Sequence, residues 1–77
     1  MSPRLVVDLA SILKREPGAA ARPLELRLQG ETNVPSVAEL LELGRRARRE
    51  RASDAELLLA VGTLLALHAP DAGSVRH

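Results

Sequence analysis

The chain has 77 residues, a net charge of +1, no cysteine and no Phe, Trp or Tyr. A chain this short forms one domain at most and buries only about 60% of the surface that it exposes when unfolded, which favours stabilisation by association. The missing cysteines exclude disulfides, and the missing aromatic rings argue against sites that hold nucleobases, sugars or flat cofactors by stacking.

The first predicted element is a helix from about residue 3 to residue 15. Ser2 is a preferred N-cap residue, and Pro3 fits the first helical position because its missing N–H costs nothing there. Apolar residues then recur at helical spacing until the Pro17-Gly18 pair, namely Leu5, Leu9, Ile12 and Leu13. The alternative is a strand over residues 5–9, where Val6 and Val7 are β-branched.

A short strand is predicted over residues 24–28. Leu24, Leu26 and Leu28 alternate with polar residues, and a period of two gives a strand one apolar face. A lone strand needs a partner for its backbone groups, which would be residues 5–9 or the same strand of a second copy. Residues 30–35 are predicted to form the following turn.

Two capping boxes predict the starts of two further helices. Ser36 precedes Glu39 by three residues, and Ser53 precedes Glu56 in the same way. The third predicted helix runs from Asp54 to about His68. The expected fold class is therefore mainly α with one short β-strand: a small helical domain of residues 1–69 that ends in a tightly connected helix pair and is oligomeric. Residues 70–77 are expected to be a disordered tail.

A block of arginines follows the apolar stripe of the second predicted helix. Helical rotation carries the stripe of Val37, Leu40, Leu41 and Gly44 onto arginines, and the whole block is a candidate basic patch: Arg45, Arg46, Arg48, Arg49 and Arg51. Such a patch suits phosphates or an acidic partner. The alternative is a solvated helix end whose cations complement the helix dipole and pair with Glu42 and Glu50.

The third predicted helix is apolar on nearly every side. Leu57, Leu58, Val61, Leu64 and Leu65 form one face, and the opposite side supplies a candidate partner interface: Leu59, Ala60, Thr63, Ala66 and Leu67. A helix that is apolar all round must be buried all round, and so small a chain can hardly cover both faces. The second face is therefore expected to meet another chain, although a helix covered entirely by its own domain is the alternative.

No catalytic, cofactor or metal site is expected. His68 falls in the last turn of the third predicted helix, where an imidazolium suits the helix dipole, and no metal ligand stands at suitable spacing from it. A Gly-rich phosphate loop and a nucleophile with an adjacent base are also missing from the sequence. The apolar run from Leu57 to Ala69 is shorter than the about 20 residues that span a bilayer. We therefore expect a soluble, cytoplasmic protein that is not an enzyme and uses no membrane, cofactor or small-molecule substrate.

The leading functional hypothesis is a protein-protein interaction and oligomerisation module, such as an adaptor, assembly factor or regulatory subunit. It would bind a second copy or a permanent protein partner through the third predicted helix. The order strand, helix, helix also resembles the ribbon-helix-helix dimer. That resemblance implies a DNA-binding regulator in which Glu25, Arg27 and Gln29 enter the major groove.

Overall fold

The computed structural model describes residues 3–69 of the chain. Within this range the chain forms four α-helices and one short 3-10 helix, at Pro17–Ala19. The α-helices are α1 (Pro3–Arg15), α2 (Ala21–Leu28), α3 (Val37–Arg49) and α4 (Asp54–His68). The predicted Ser2 cap and the predicted disordered tail, residues 70–77, lie outside the described residues.

Helix α1 confirms the first predicted helix, and the alternative strand over residues 5–9 is wrong. Leu5, Leu9 and Leu13 are all buried in the core. A strand would place Val7 on the same face as Leu5 and Leu9, but Val7 is 54% exposed, whereas a helix places it on a different side from them. The burial of one face of the helix therefore outweighs the strand preference of the β-branched Val6 and Val7.

The predicted strand over residues 24–28 is wrong, because these residues belong to α2. Leu24 is fully buried and Leu28 is half-buried, but Leu26 is 51% exposed. Positions 24 and 28 share a helix face, and position 26 lies on the other side. Leu, Glu and Arg also favour helix over strand. With no strand in residues 3–69, the element order of a ribbon-helix-helix protein is not present in the described fold.

Arg27 of α2 forms an ion pair with Asp8 of α1. Its Nε donates to Asp8 at 2.8 Å, and its Nη1 donates to Glu31 at 3.3 Å. The hydrogen bond with Asp8, followed by the one with Glu31, raises the pKa of the Arg27 guanidinium above its ordinary value. Arg27, which the ribbon-helix-helix resemblance placed in the DNA major groove, therefore pairs with two carboxylates of its own chain.

The chain turns tightly after α2. The Glu31 N–H donates to the Leu28 carbonyl at 3.0 Å, while Gln29 has φ −58° and ψ 130° and Gly30 has φ +83°. These angles define a type II turn, whose third residue needs a positive φ and is therefore usually glycine.

Both serine caps predicted for the last two helices are present. The Ser53 hydroxyl accepts from the Glu56 N–H at 3.2 Å, and the Glu56 carboxylate accepts from the Ser53 N–H at 3.0 Å. The Ser36 hydroxyl likewise accepts from the Glu39 N–H at 3.2 Å. The Glu39 carboxylate, however, is directed to the Ser36 hydroxyl at 3.4 Å and to His68. The first capping box is therefore only half formed.

The complete box at the start of α4 changes the acidity of Glu56. The hydrogen bond with the Ser53 backbone lowers the pKa of the Glu56 carboxyl the most, and the hydrogen bond with the Ser53 side chain lowers it further. The folded state thus favours the charged carboxylate. This stabilisation is present at neutral pH and is lost as the pH falls through the lowered pKa.

The connection from α3 to α4 uses a Schellman turn with an arginine at the left-handed position. Arg51 has φ +53°, its N–H donates to the Arg48 carbonyl at 3.2 Å, and the Ala52 N–H donates to the Ala47 carbonyl at 2.9 Å. Glycine is the usual residue at this position, since a side chain there costs roughly 1–2 kcal/mol.

Replacing Arg51 with glycine is therefore expected to stabilise the fold. The removed strain exceeds the entropy that glycine adds to the unfolded chain, so the free energy of unfolding should rise by up to about 1 kcal/mol. Thermal melting followed by circular dichroism measures this change. The matched variant Arg45→Gly removes an arginine from the interior of α3, outside both the last turn and the two cavities described below, and should destabilise the protein by about 1 kcal/mol. A loss of stability in Arg51→Gly would contradict the assignment of strain to this residue.

The core is aliphatic and lies where α1 and α3 meet the other two helices. Helices α1 and α3 contact each other, and each also contacts α2 and α4. No polar or charged residue is buried in the described part of the chain. The buried hydrophobic residues are Leu5, Leu9, Ala10, Leu13, Ala20, Leu24, Leu40, Leu57, Val61 and Leu65.

Candidate functional site

Helix α4 buries one face against the core, and residues 3–69 leave much of the opposite face exposed. Leu57, Val61 and Leu65 are buried against the core, whereas Leu59 is 72% exposed and Leu67 is 76% exposed. The expectation that this chain cannot cover both faces of the helix is confirmed for the described residues. Within residues 3–69, the alternative of a helix covered entirely by its own domain is wrong.

The exposed face of α4 borders an open groove against α3, which we call the outer groove. Its cavity volume is about 540 Å³. Four of the five predicted interface residues line it, and Ala66, which is exposed, lies outside it. The lining comprises Leu43, Arg46, Ala47, Glu50, Ala52, Glu56, Leu59, Ala60, Thr63, Leu64 and Leu67.

The one hydroxyl in the outer groove is satisfied within its own helix. The Thr63 Oγ1 donates to the Leu59 carbonyl at 2.9 Å. A hydroxyl that already has a partner costs little to cover with apolar atoms. The centre of the groove therefore behaves as an apolar surface, and its charged residues come from α3, the connecting loop and the first turn of α4.

The residues of α3 that line the outer groove were not predicted from the sequence. Leu43 and Ala47 line the groove and are half-buried. They are four residues apart, which is the spacing of a second apolar stripe on α3. That stripe has only two members, and Ala47 lies within the arginine block, so the stronger stripe that faces the core hid it.

The five arginines of the predicted basic patch divide among three surroundings. Arg45 and Arg49 reach Glu42, at 3.5 Å and 3.9 Å. Arg46 lines the outer groove, and Arg48 and Arg51 line a second cavity on another side of α3. The arginines therefore surround the end of α3 and do not share one cavity, because a helix distributes consecutive residues around its whole circumference.

The second cavity, which we call the basic cavity, lies where α1 and α3 end and α4 begins. Its volume is about 440 Å³. Lys14 and Arg15 join Arg48 and Arg51 in its lining. These two residues were not predicted as site residues, although their position in the last turn of the first helix was a signal. The remaining lining residues are Leu13, Gly44, Ala47, Ala52, Asp54 and Leu57.

The chain matches no protein-family model, no curated protein and no solved structure. The candidate sites therefore depend on their own geometry.

His68 joins the end of α4 to the start of α3. Its Nε2 lies 2.8 Å from a carboxylate oxygen of Glu39, and the ring is half-buried. Among residues 3–69, no three His, Cys, Asp or Glu side chains lie close enough together to hold a metal ion. None of the helices in that range is both long and apolar enough to cross a membrane. In the described fold His68 thus has a structural contact, which ties the two helices together.

Proposed function

We propose that the protein is a non-enzymatic association module that binds a second copy of itself through the outer groove. The observation that carries the proposal is the exposure of Leu59 and Leu67 beside an apolar groove. Each fully buried leucine contributes about 1.5–3 kcal/mol relative to an exposed one, so covering both side chains gives a substantial driving force.

The spacing of the exposed residues suits a pairing of identical chains. Leu59 and Leu67 stand four residues on either side of Thr63, on one stripe of α4. In a two-fold dimer the same patch of both copies meets itself, so residue i contacts residue j and j contacts i. Two antiparallel α4 helices that cross at Thr63 would therefore place Leu59 of each copy near the partner's Leu67.

The residues near the crossing point favour close packing. Ala60 and Thr63 have small side chains, and the adjacent Leu43 and Leu64 provide a half-buried apolar floor. A leucine of the second copy can lie in this groove and contact α3 as well as α4. The charged residues Arg46, Glu50 and Glu56 include both signs and can form the polar rim that protein interfaces usually have.

A comparison of two leucine variants tests the proposal. Leu59→Glu places a charge in the outer groove, whereas Leu26→Glu places the same charge on α2, at a leucine that is 51% exposed and does not line the groove. The wild-type chain should sediment as a dimer and melt at a temperature that rises with protein concentration. Leu59→Glu should weaken the dimer by about tenfold or more, because each dimer loses two leucine contacts.

The Leu26→Glu control should keep the dimer affinity of the wild type. If the wild-type chain sediments as a monomer with a melting temperature independent of concentration, self-association is not its function. If both variants weaken the dimer equally, the interface does not lie in the outer groove.

A further inference from the structure

The basic cavity collects cations from separate parts of the chain. Lys14 and Arg15 come from the end of α1, Arg48 comes from the last turns of α3, and Arg51 comes from the loop before α4. These residues are up to 37 positions apart in the sequence. Their convergence on one cavity is a property of the fold, and the arginine block alone does not predict it.

The charge balance of the cavity is strongly positive. Four cationic side chains face one carboxylate, that of Asp54, which is paired with Lys14 at 2.5 Å. The α1 and α3 C-termini each add roughly half a negative charge, and the α4 N-terminus adds roughly half a positive charge. The helix ends therefore offset only about half a charge of an excess of three, and the cavity attracts anions.

None of the three cavity arginines, Arg15, Arg48 and Arg51, has an ion pair within the described residues. The salt bridges of residues 3–69 include Arg45 and Arg49 but neither Arg48 nor Arg51. Arg51 also holds a left-handed backbone conformation that glycine would adopt without strain. Residues with backbone strain occur preferentially at active sites and ligand-binding sites.

We propose that the basic cavity binds a multivalent phosphate group. The fork of an arginine matches phosphate oxygens in bidentate geometry, and an excess of three positive charges favours an anion that carries several negative charges. A volume of about 440 Å³ is in the range of small-molecule sites. Leu13, Ala47 and Leu57 supply apolar walls beside the cations.

The phosphate can come from a small molecule or from a nucleic-acid backbone. The chain has no aromatic residue on which a base could stack, so recognition in either case depends on the phosphates themselves. Isothermal titration with pyrophosphate and inorganic phosphate tests the first source. Titration with a DNA duplex at two salt concentrations, with pyrophosphate as competitor, tests the second.

Two double variants provide the decisive comparison. Arg48→Gln with Arg51→Gln removes two cations from the basic cavity. Arg45→Gln with Arg49→Gln removes the same charge from the same end of α3, but outside the cavity. Pyrophosphate should bind the wild type more tightly than inorganic phosphate. The cavity variant should lose about tenfold or more in affinity for pyrophosphate, and the control variant should lose less than about threefold.

Arg51→Gly separates loss of binding from loss of folding, because this variant is expected to be more stable than the wild type and still to bind pyrophosphate less tightly. If the duplex binds, is displaced by pyrophosphate and is weakened by the cavity variant alone, the proposal holds with a nucleic-acid backbone as the source. Equal losses in both double variants would overturn the proposal. So would a wild-type chain that binds neither pyrophosphate nor duplex at low salt.

Discussion

Replacing Leu9 with alanine is expected to lower the free energy of unfolding by about 2–5 kcal/mol. Leu9 lies in the middle of α1 and has no exposed surface. Truncation removes its transfer free energy and leaves a cavity that neighbouring side chains fill only in part. A domain of this size has a margin of roughly 3–5 kcal/mol, so the variant should be largely unfolded at room temperature.

Urea titration followed by far-UV circular dichroism measures the loss, since the chain has no aromatic residue to report by fluorescence. The protein concentration is held constant because association would change the apparent stability. Val7→Ala on the same helix is the matched control. Val7 is 54% exposed, and its truncation should stay within about 0.5 kcal/mol of the wild type. Equal losses in the two variants would show that Leu9 is not a core residue.

The helices with local end signals were predictable from the sequence. Ser53 and Glu56 mark the start of α4 because a capping box requires only residues three positions apart, and the structure contains both of its hydrogen bonds. Helix α1 was predictable because Leu5, Leu9, Ile12 and Leu13 combine spacings of three and four residues, which a helix places on one side and a strand would divide between its two faces. In both cases the information lies within one or two helical turns.

Helix α2 was not predictable because its sequence fits two periods at once. Leu24, Leu26 and Leu28 satisfy the alternation of a strand, while Leu24 and Leu28 alone satisfy the spacing of a helix. The choice depends on whether Leu26 is buried, and this is decided by α1 and α3, which cover only one side of the segment. Because Leu26 is exposed in the fold, the alternation of the three leucines with polar residues does not correspond to the buried face of a strand.

The two candidate sites differ in how far the sequence indicated them. The uncovered face of α4 followed from an apolar helix in a chain too small to bury it, so four groove residues could be named in advance. The basic cavity needs Lys14 and Arg15 beside Arg48 and Arg51, and their proximity depends on how α1 packs against α3. Local pattern shows which residues are charged, but tertiary packing decides which charges meet. Self-association through α4 stays a prediction.

Gly44 of α3 packs against Leu13 of α1, and a side chain there is expected to destabilise the fold. A Cβ at position 44 would lie 2.9 Å from Cδ2 of Leu13. Leu13 is buried, so its side chain has little room to move aside. Gly44→Val should therefore lower the free energy of unfolding by about 1–3 kcal/mol, since overpacking outweighs the gain in helix propensity.

Gly62 in α4 provides the matched control, because a Cβ there would lie 3.9 Å from Val6, an ordinary van der Waals distance. Gly62→Ala should stabilise the protein by up to about 1 kcal/mol, as the better helix propensity of alanine meets no steric cost. Urea titrations of the two variants should thus shift the midpoint in opposite directions. If Gly44→Val were as stable as the wild type, α1 and α3 would have to move apart without any loss in the free energy of unfolding. The basic cavity, which Leu13 and Gly44 both line, would then not have a fixed shape.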